Sequence, residues 1–145
     1  MEELKVKNVV IGKQFETCEN YEKFIKIVKE KNIKVIVVEA RQRMKVEKEL
    51  YFDVLWPSSK DKISDNVLNN NSLVCKLVYQ EFSMLFTGDI EEIAEKEILK
   101  KYKNSSNIFK STILKVGHHR FENFYYTRIF RCGKTQNCFD WSRGE

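Results

Sequence analysis

The chain has 145 residues, with 26 Lys and Arg against 21 Asp and Glu, a formal charge of +5, 42% hydrophobic and 32% charged residues. That balance suits one domain with a modest core and excludes both a disordered polyelectrolyte and a bilayer-embedded chain. No apolar run approaches the roughly 20 residues that span a bilayer, and Met1-Glu2-Glu3-Leu4-Lys5 lacks the basic start of a signal peptide, so the expected location is cytoplasmic.

Taken in order, Leu4 to Ile11 carries Val6, Val9, Val10 and Ile11 and stops at Gly12, which predicts a strand. Tyr21, Phe24, Ile25 and Val28 recur at helical spacing, so a helix is expected from Glu19 or Asn20 to about Lys29-Asn32. Ile33 to Val38 is nearly all β-branched and reads as a strand buried on both faces. The three together predict a β-α-β unit with parallel strands. Ala40 to Glu49 is charged and irregular. Tyr51 to Trp56 is a strand that ends at Pro57, which cannot donate to a ladder. Ser58 to Asn71 is a polar segment read as the most mobile loop. Ser72 to Tyr79 and Phe82 to Phe86 predict a hairpin turning at Gln80-Glu81. Asp89 to Tyr102 predicts a helix with Ile90, Ile93, Ala94, Ile98 and Leu99 on one face, and Thr112 to Val116 a further strand. The expected fold class is α/β or α+β.

Two stretches bear on chemistry. Phe86-Thr87-Gly88-Asp89 delivers a carboxylate at a strand end, and Leu114-Lys115-Val116-Gly117-His118-His119 delivers the chain's two histidines at another. Carboxylate oxygens and imidazole nitrogens around zinc, with one position left for water, bring that water's pKa to about 7 and supply hydroxide at neutral pH. Asp89 has a second reading: with Glu92 three residues on, it forms an N-terminal helix cap. The two roles are compatible, because each carboxylate has two oxygens. An exposed histidine pair likewise has a solvated alternative. Cys18, Cys75, Cys132 and Cys138 show neither a C-x-x-C pair nor zinc-finger spacing and are expected to be free thiols. Cys132-Gly133-Lys134-Thr135 matches only the end of a P-loop, with no glycine at the required earlier position and no preceding strand.

These two stretches resemble the later metal-ligand motifs of the metallo-β-lactamase fold. The likeness is closest to the soluble hydrolase domain of the ComEC family of competence (DNA-uptake) proteins, whose motifs read close to F-T-G-D and K-x-x-H-H-G-S. Asn71-Ser72-Leu73-Val74 is similar to that family's N-x-x-S-L-V strand start, and Trp56-Pro57 to its W-P or Y-P strand end. The resemblance implies a partial αββα sandwich over residues 1–119. It also implies Asp89 as a metal-bridging ligand, one of His118 and His119 as another, and Thr87, Gly88 and Gly117 as structural residues beside them. It implies zinc or manganese as cofactor, phosphodiester hydrolysis on DNA, and association of the intact protein with a membrane competence channel. The chain departs from the family in lacking the principal His-x-Asp-x-Asp-His motif, and in having Arg120-Phe121 where the family has Gly-Ser. Hydrolytic activity is therefore not expected from this chain alone.

From Arg120 to Glu145 the periodicity fades and Cys, aromatic and Arg residues crowd together. Back-translated and read one base later, with permitted codons throughout, this tail gives GLKTSTTQEFLDAVKPKIALIGVGE, which is similar to the family's continuation. A single-base insertion near codon 120, and a poorly ordered tail over residues 120–145, are the corresponding expectations. The competing function is a non-catalytic nucleic-acid- or protein-binding module that uses the dispersed lysines and the Phe124-Tyr125-Tyr126 patch.

Overall fold

The β-branched run near the N-terminus forms β1 (Asn8–Gly12), and the amphipathic segment after it forms α1 (Glu19–Glu30). In the computed structural model, which describes residues 5–13, 15–117 and 137–139, α1 leads into β2 (Lys34–Val38), parallel to β1 with Val9 opposite Val35 and Ile11 opposite Val37. The expected β-α-β unit is present. Its second strand is not buried on both faces, however, because Val37 is 54% exposed. β-Branched residues favour the extended backbone whether or not a layer covers them, so the run predicted the strand correctly and its surroundings wrongly.

β1 and β2 make a sheet of their own, and the other strands form a six-stranded sheet. Its members, in spatial as in chain order, are β3 (Arg43–Lys45), β4 (Leu50–Trp56), β5 (Val74–Tyr79), β6 (Phe82–Phe86), β7 (Ile113–Lys115) and β8 (Asn137–Phe139). Neighbours from β3 to β6 are antiparallel, whereas β6, β7 and β8 run parallel. The hairpin turns at Gln80-Glu81 as expected, with Tyr79 opposite Phe82. β3 lies in the segment read as irregular. Arg43 stands opposite Asp53, donating from Nε to Oδ1 at 2.6 Å and from Nη2 to Oδ2 at 2.9 Å, and its guanidinium lies 3.9 Å from the Tyr51 ring centroid. Cross-strand charge pairing supports this strand in place of the apolar alternation that sequence reading looks for. β8 falls within the tail expected to be poorly ordered and pairs with β7, Leu114 opposite Cys138; the rest of that tail lies outside the described residues. Helices with mixed strands in two sheets make this an α+β fold. Among the described residues no helix is long and apolar enough to cross a membrane.

The core joins Leu55, Trp56, Val74, Leu85 and Leu114 of the larger sheet to Ile90 and to Ala94, Ile98 and Tyr102 of the α3 (Glu92–Lys101) region. Burial of the Val, Leu and Ile side chains among them contributes roughly 1.5–3 kcal/mol each. Tyr102 donates its hydroxyl to the Leu55 carbonyl at 3.1 Å and meets the Phe109 ring edge-on at 5.8 Å. Phe109 ends a 3-10 stretch, Lys103–Phe109, which the sequence pattern did not reveal.

The segment 58–71, read as a mobile loop, is tied down. It contains the short helix α2 (Val67–Asn70), and Ile63 enters the core. The Asn71 amide donates to the carbonyls of Ile63 at 2.9 Å and Val67 at 2.8 Å, while Trp56 Nε1 donates to the Asn70 carbonyl at 2.8 Å. A polar composition suggested solvation. Here the polar side chains satisfy buried backbone groups that would otherwise be orphaned.

Candidate functional site

Because β6 and β7 are parallel, with Leu85 opposite Leu114 and Phe86 opposite Lys115, both chains leave the sheet at the same edge. Thr87 carries the pairing one residue further. It is buried, and its hydroxyl donates to the Lys115 carbonyl at 3.1 Å, which its backbone N–H also reaches at 3.4 Å. Gly88 then takes a φ of +58°, a left-handed conformation that glycine adopts without steric penalty. A Cβ on Gly117 would lie 2.6 Å from the Gly88 carbonyl oxygen and 3.3 Å from the Asp89 Cα. The two motifs picked from sequence thus touch through their glycines, and Asp89 sits half-buried at the contact. The same edge gathers the end of β1 and the start of β5, since a Cβ on Gly12 would meet Pro57 Cδ at 3.0 Å and Leu73 Cβ at 3.5 Å.

The close approach is testable. Gly117→Ala is expected to lower stability by about 1–3 kcal/mol, because its methyl group would lie 2.6 Å from the Gly88 backbone oxygen and force the turn to shift. Urea unfolding followed by circular dichroism measures this, and an unchanged midpoint would mean that the two turns are not in contact.

The capping role anticipated for Asp89 is corrected. Helix α3 starts at Glu92, and its N-cap residue is Glu91 in extended backbone. The partner of this helix start is remote in sequence: the wholly buried Asn70 accepts from the Glu91 N–H through Oδ1 at 3.0 Å. Its Nδ2 donates to Glu91 Oε2 at 3.0 Å and to the Asp65 carbonyl at 2.9 Å. Asn66 adds a hydrogen bond to Glu91 Oε1. Asn70 and Asn66 therefore hold the residue two positions beyond Asp89, a role sequence reasoning missed. The Asn-rich run before Ser72 is the available signal, which composition alone assigns to a mobile polar loop.

Of the proposed metal ligands, Asp89 is described, with Thr87, Gly88 and Gly117 beside it; His118 and His119 lie outside the described residues. Among the described residues no group of three or more His, Cys, Asp or Glu side chains is placed to hold a metal ion. A catalytic zinc takes three protein ligands, so the described residues do not by themselves fit one. The Cys75 thiol does not help: desolvation in the sheet pushes its pKa up to about 11, which leaves it protonated at neutral pH.

A cleft of about 580 Å³ opens elsewhere, between the turn after β2, the segment after β4 and the last turn of α3, and no residue of the Thr87–Asp89 turn lines it. Its electrostatics are organised. Hydrogen bonds from the Ser59 hydroxyl and N–H, with smaller contributions from Lys13 and Lys101, hold the Glu39 carboxyl below the usual carboxylate range. Asp61 is likewise lowered, chiefly by Lys101 and then by Ser58. Sequence reading did not single out these residues, which come from three separate segments.

A scan against protein-family models finds none that matches this chain, and a search of curated proteins finds no match either.

Proposed function

We propose that this chain is a partial, ComEC-like metallo-β-lactamase-fold domain, inactive in hydrolysis by itself, whose surviving metal-binding edge consists of Asp89 with His118 and His119. By the resemblance, DNA phosphodiesters are the substrate class of the intact domain, zinc or manganese its cofactor, and a membrane competence channel its partner. The observation that supports this reading is the contact of Gly117 with Gly88 and Asp89 at the shared edge of parallel strands. That contact brings the chain segment leading to His118 up to the backbone of Asp89. One carboxylate and two imidazoles, without the principal histidine motif, fall short of a two-metal ligand shell, hence the expected inactivity.

Isothermal titration with zinc is expected to show weak binding that disappears in Asp89→Ala and in the double variant His118→Ala/His119→Ala. Plasmid and single-stranded DNA should remain uncut. Efficient cleavage by the purified chain would overturn the inactivity, and zinc binding indifferent to Asp89→Ala would overturn the site. Salt-dependent DNA binding that survives both variants would favour the non-catalytic module instead.

A further inference from the structure

We propose that the cleft beside β2 and β4 binds a phosphate group, held by Arg41 and Lys60. This goes beyond the metal-edge reading and does not rest on it.

Three observations carry it. The first is size and lining: about 580 Å³, within the range of ligand pockets, walled by charged and hydroxyl side chains with Ala40 the one apolar contributor. The second is the charge balance. Each carboxylate of the cleft is engaged: Glu39 by the Ser59 N–H at 3.1 Å and by its hydroxyl, Asp61 by Lys101, and Glu97 by Lys100 at 3.7 Å. Among the described residues Arg41 and Lys60 have no carboxylate within ion-pair distance. Lys60 helps to lower Asp61 through space, yet neither it nor Arg41 is held in a direct ion pair, so both cations line a space where an added anion gains attraction without displacing a bonded partner.

The third observation concerns the backbone. Arg41 has a φ of +75°, a conformation that is unfavourable for a long side chain and free for glycine. Arg41 nonetheless occupies the third position of a tight turn whose ends are joined by Gln42 N–H to the Glu39 carbonyl at 3.2 Å and Glu39 N–H to Gln42 Oε1 at 2.9 Å. Arg41 N–H to the Val54 carbonyl at 2.8 Å and Val54 N–H to the Gln42 carbonyl at 2.9 Å lock that turn onto β4. The surroundings therefore over-determine a strained arginine and fix its point of departure beside the cleft, the pattern expected where a side chain is held ready for a ligand. A guanidinium suits a phosphate because its planar donors can engage two oxygens at once.

The phosphate can belong to a small phosphorylated molecule or to a nucleic-acid backbone, and the test separates the two. The full chain, isotopically labelled, is titrated with inorganic phosphate and, separately, with an oligothymidylate, following amide chemical shifts. Expected are saturable shifts at Ala40, Arg41 and Ser58 to Asp61, with affinity weakened roughly tenfold or more in Arg41→Gly and in Lys60→Ala, the loss of one charge-assisted contact. Arg41→Gly relieves the backbone strain, so its thermal midpoint should be at least that of the parent and lost binding cannot be ascribed to unfolding. Tighter binding of the oligonucleotide, with a salt dependence that each substitution reduces by about one counterion, assigns the site to a nucleic-acid backbone. Equal or tighter binding of phosphate assigns it to a small phosphorylated ligand. If neither probe moves the cleft amides, or if both variants bind as well as the parent, the proposal is wrong.

Discussion

Trp56→Ala is expected to reduce the free energy of unfolding by about 3–5 kcal/mol, the range for emptying a buried aromatic site. Trp56 is fully buried, touches the cluster that joins the larger sheet to α3, and donates from Nε1 to the Asn70 carbonyl at 2.8 Å. Small domains hold only about 5–15 kcal/mol in total, so the variant should unfold at low urea or on mild warming. Trp56→Phe separates the two contributions. It retains most of the packing and loses the indole donor, and should fall between parent and alanine variant. Circular dichroism is the appropriate probe, since Trp56 is itself a fluorophore. A loss under about 1 kcal/mol for the alanine variant would mean that this side chain is not enclosed as described.

Asn70→Ala is expected to cost about 2–4 kcal/mol although it removes almost no apolar surface. The substitution strips the acceptor from the Glu91 N–H and the donor from Glu91 Oε2 and the Asp65 carbonyl at a fully buried position, and each buried group left unsatisfied costs roughly 1–3 kcal/mol. Asn70→Asp distinguishes hydrogen bonding from shape. It keeps the acceptor for Glu91 N–H and sets a second carboxylate against Glu91, so it should be worse at pH 7 than at a pH low enough to protonate that pair. Combining Asn70→Ala with Trp56→Ala should give a loss smaller than the sum, because the two residues share a hydrogen bond and a segment. Strict additivity would count against their coupling. Zinc titration of the Asn70→Ala protein would further show whether the turn at Asp89 depends on the clamp at Glu91.

Most elements were legible because their apolar residues repeat with one period. Val9 and Ile11, or Ile90, Ala94 and Ile98, announce a strand and a helix wherever they end up packing. β3 and the 3-10 stretch escaped notice for the opposite reason: Arg43, Asp53 and Tyr51 support β3 through a pair made only after folding. The segment before β5 was misjudged on the same ground, since Asn70 and Asn71 read as solvated until their buried backbone partners are known.

For the candidate site, sequence alone showed that the Phe86–Asp89 stretch ends a strand and sets a glycine and then a carboxylate after it, because these are local features. That the second glycine-bearing tip lies against the first, that Glu91 and not Asp89 caps α3, and that Arg41 faces a cleft built from three segments were decided only by tertiary structure. Each depends on the pairing of residues far apart in the chain, and residue periodicity carries no record of distant partners.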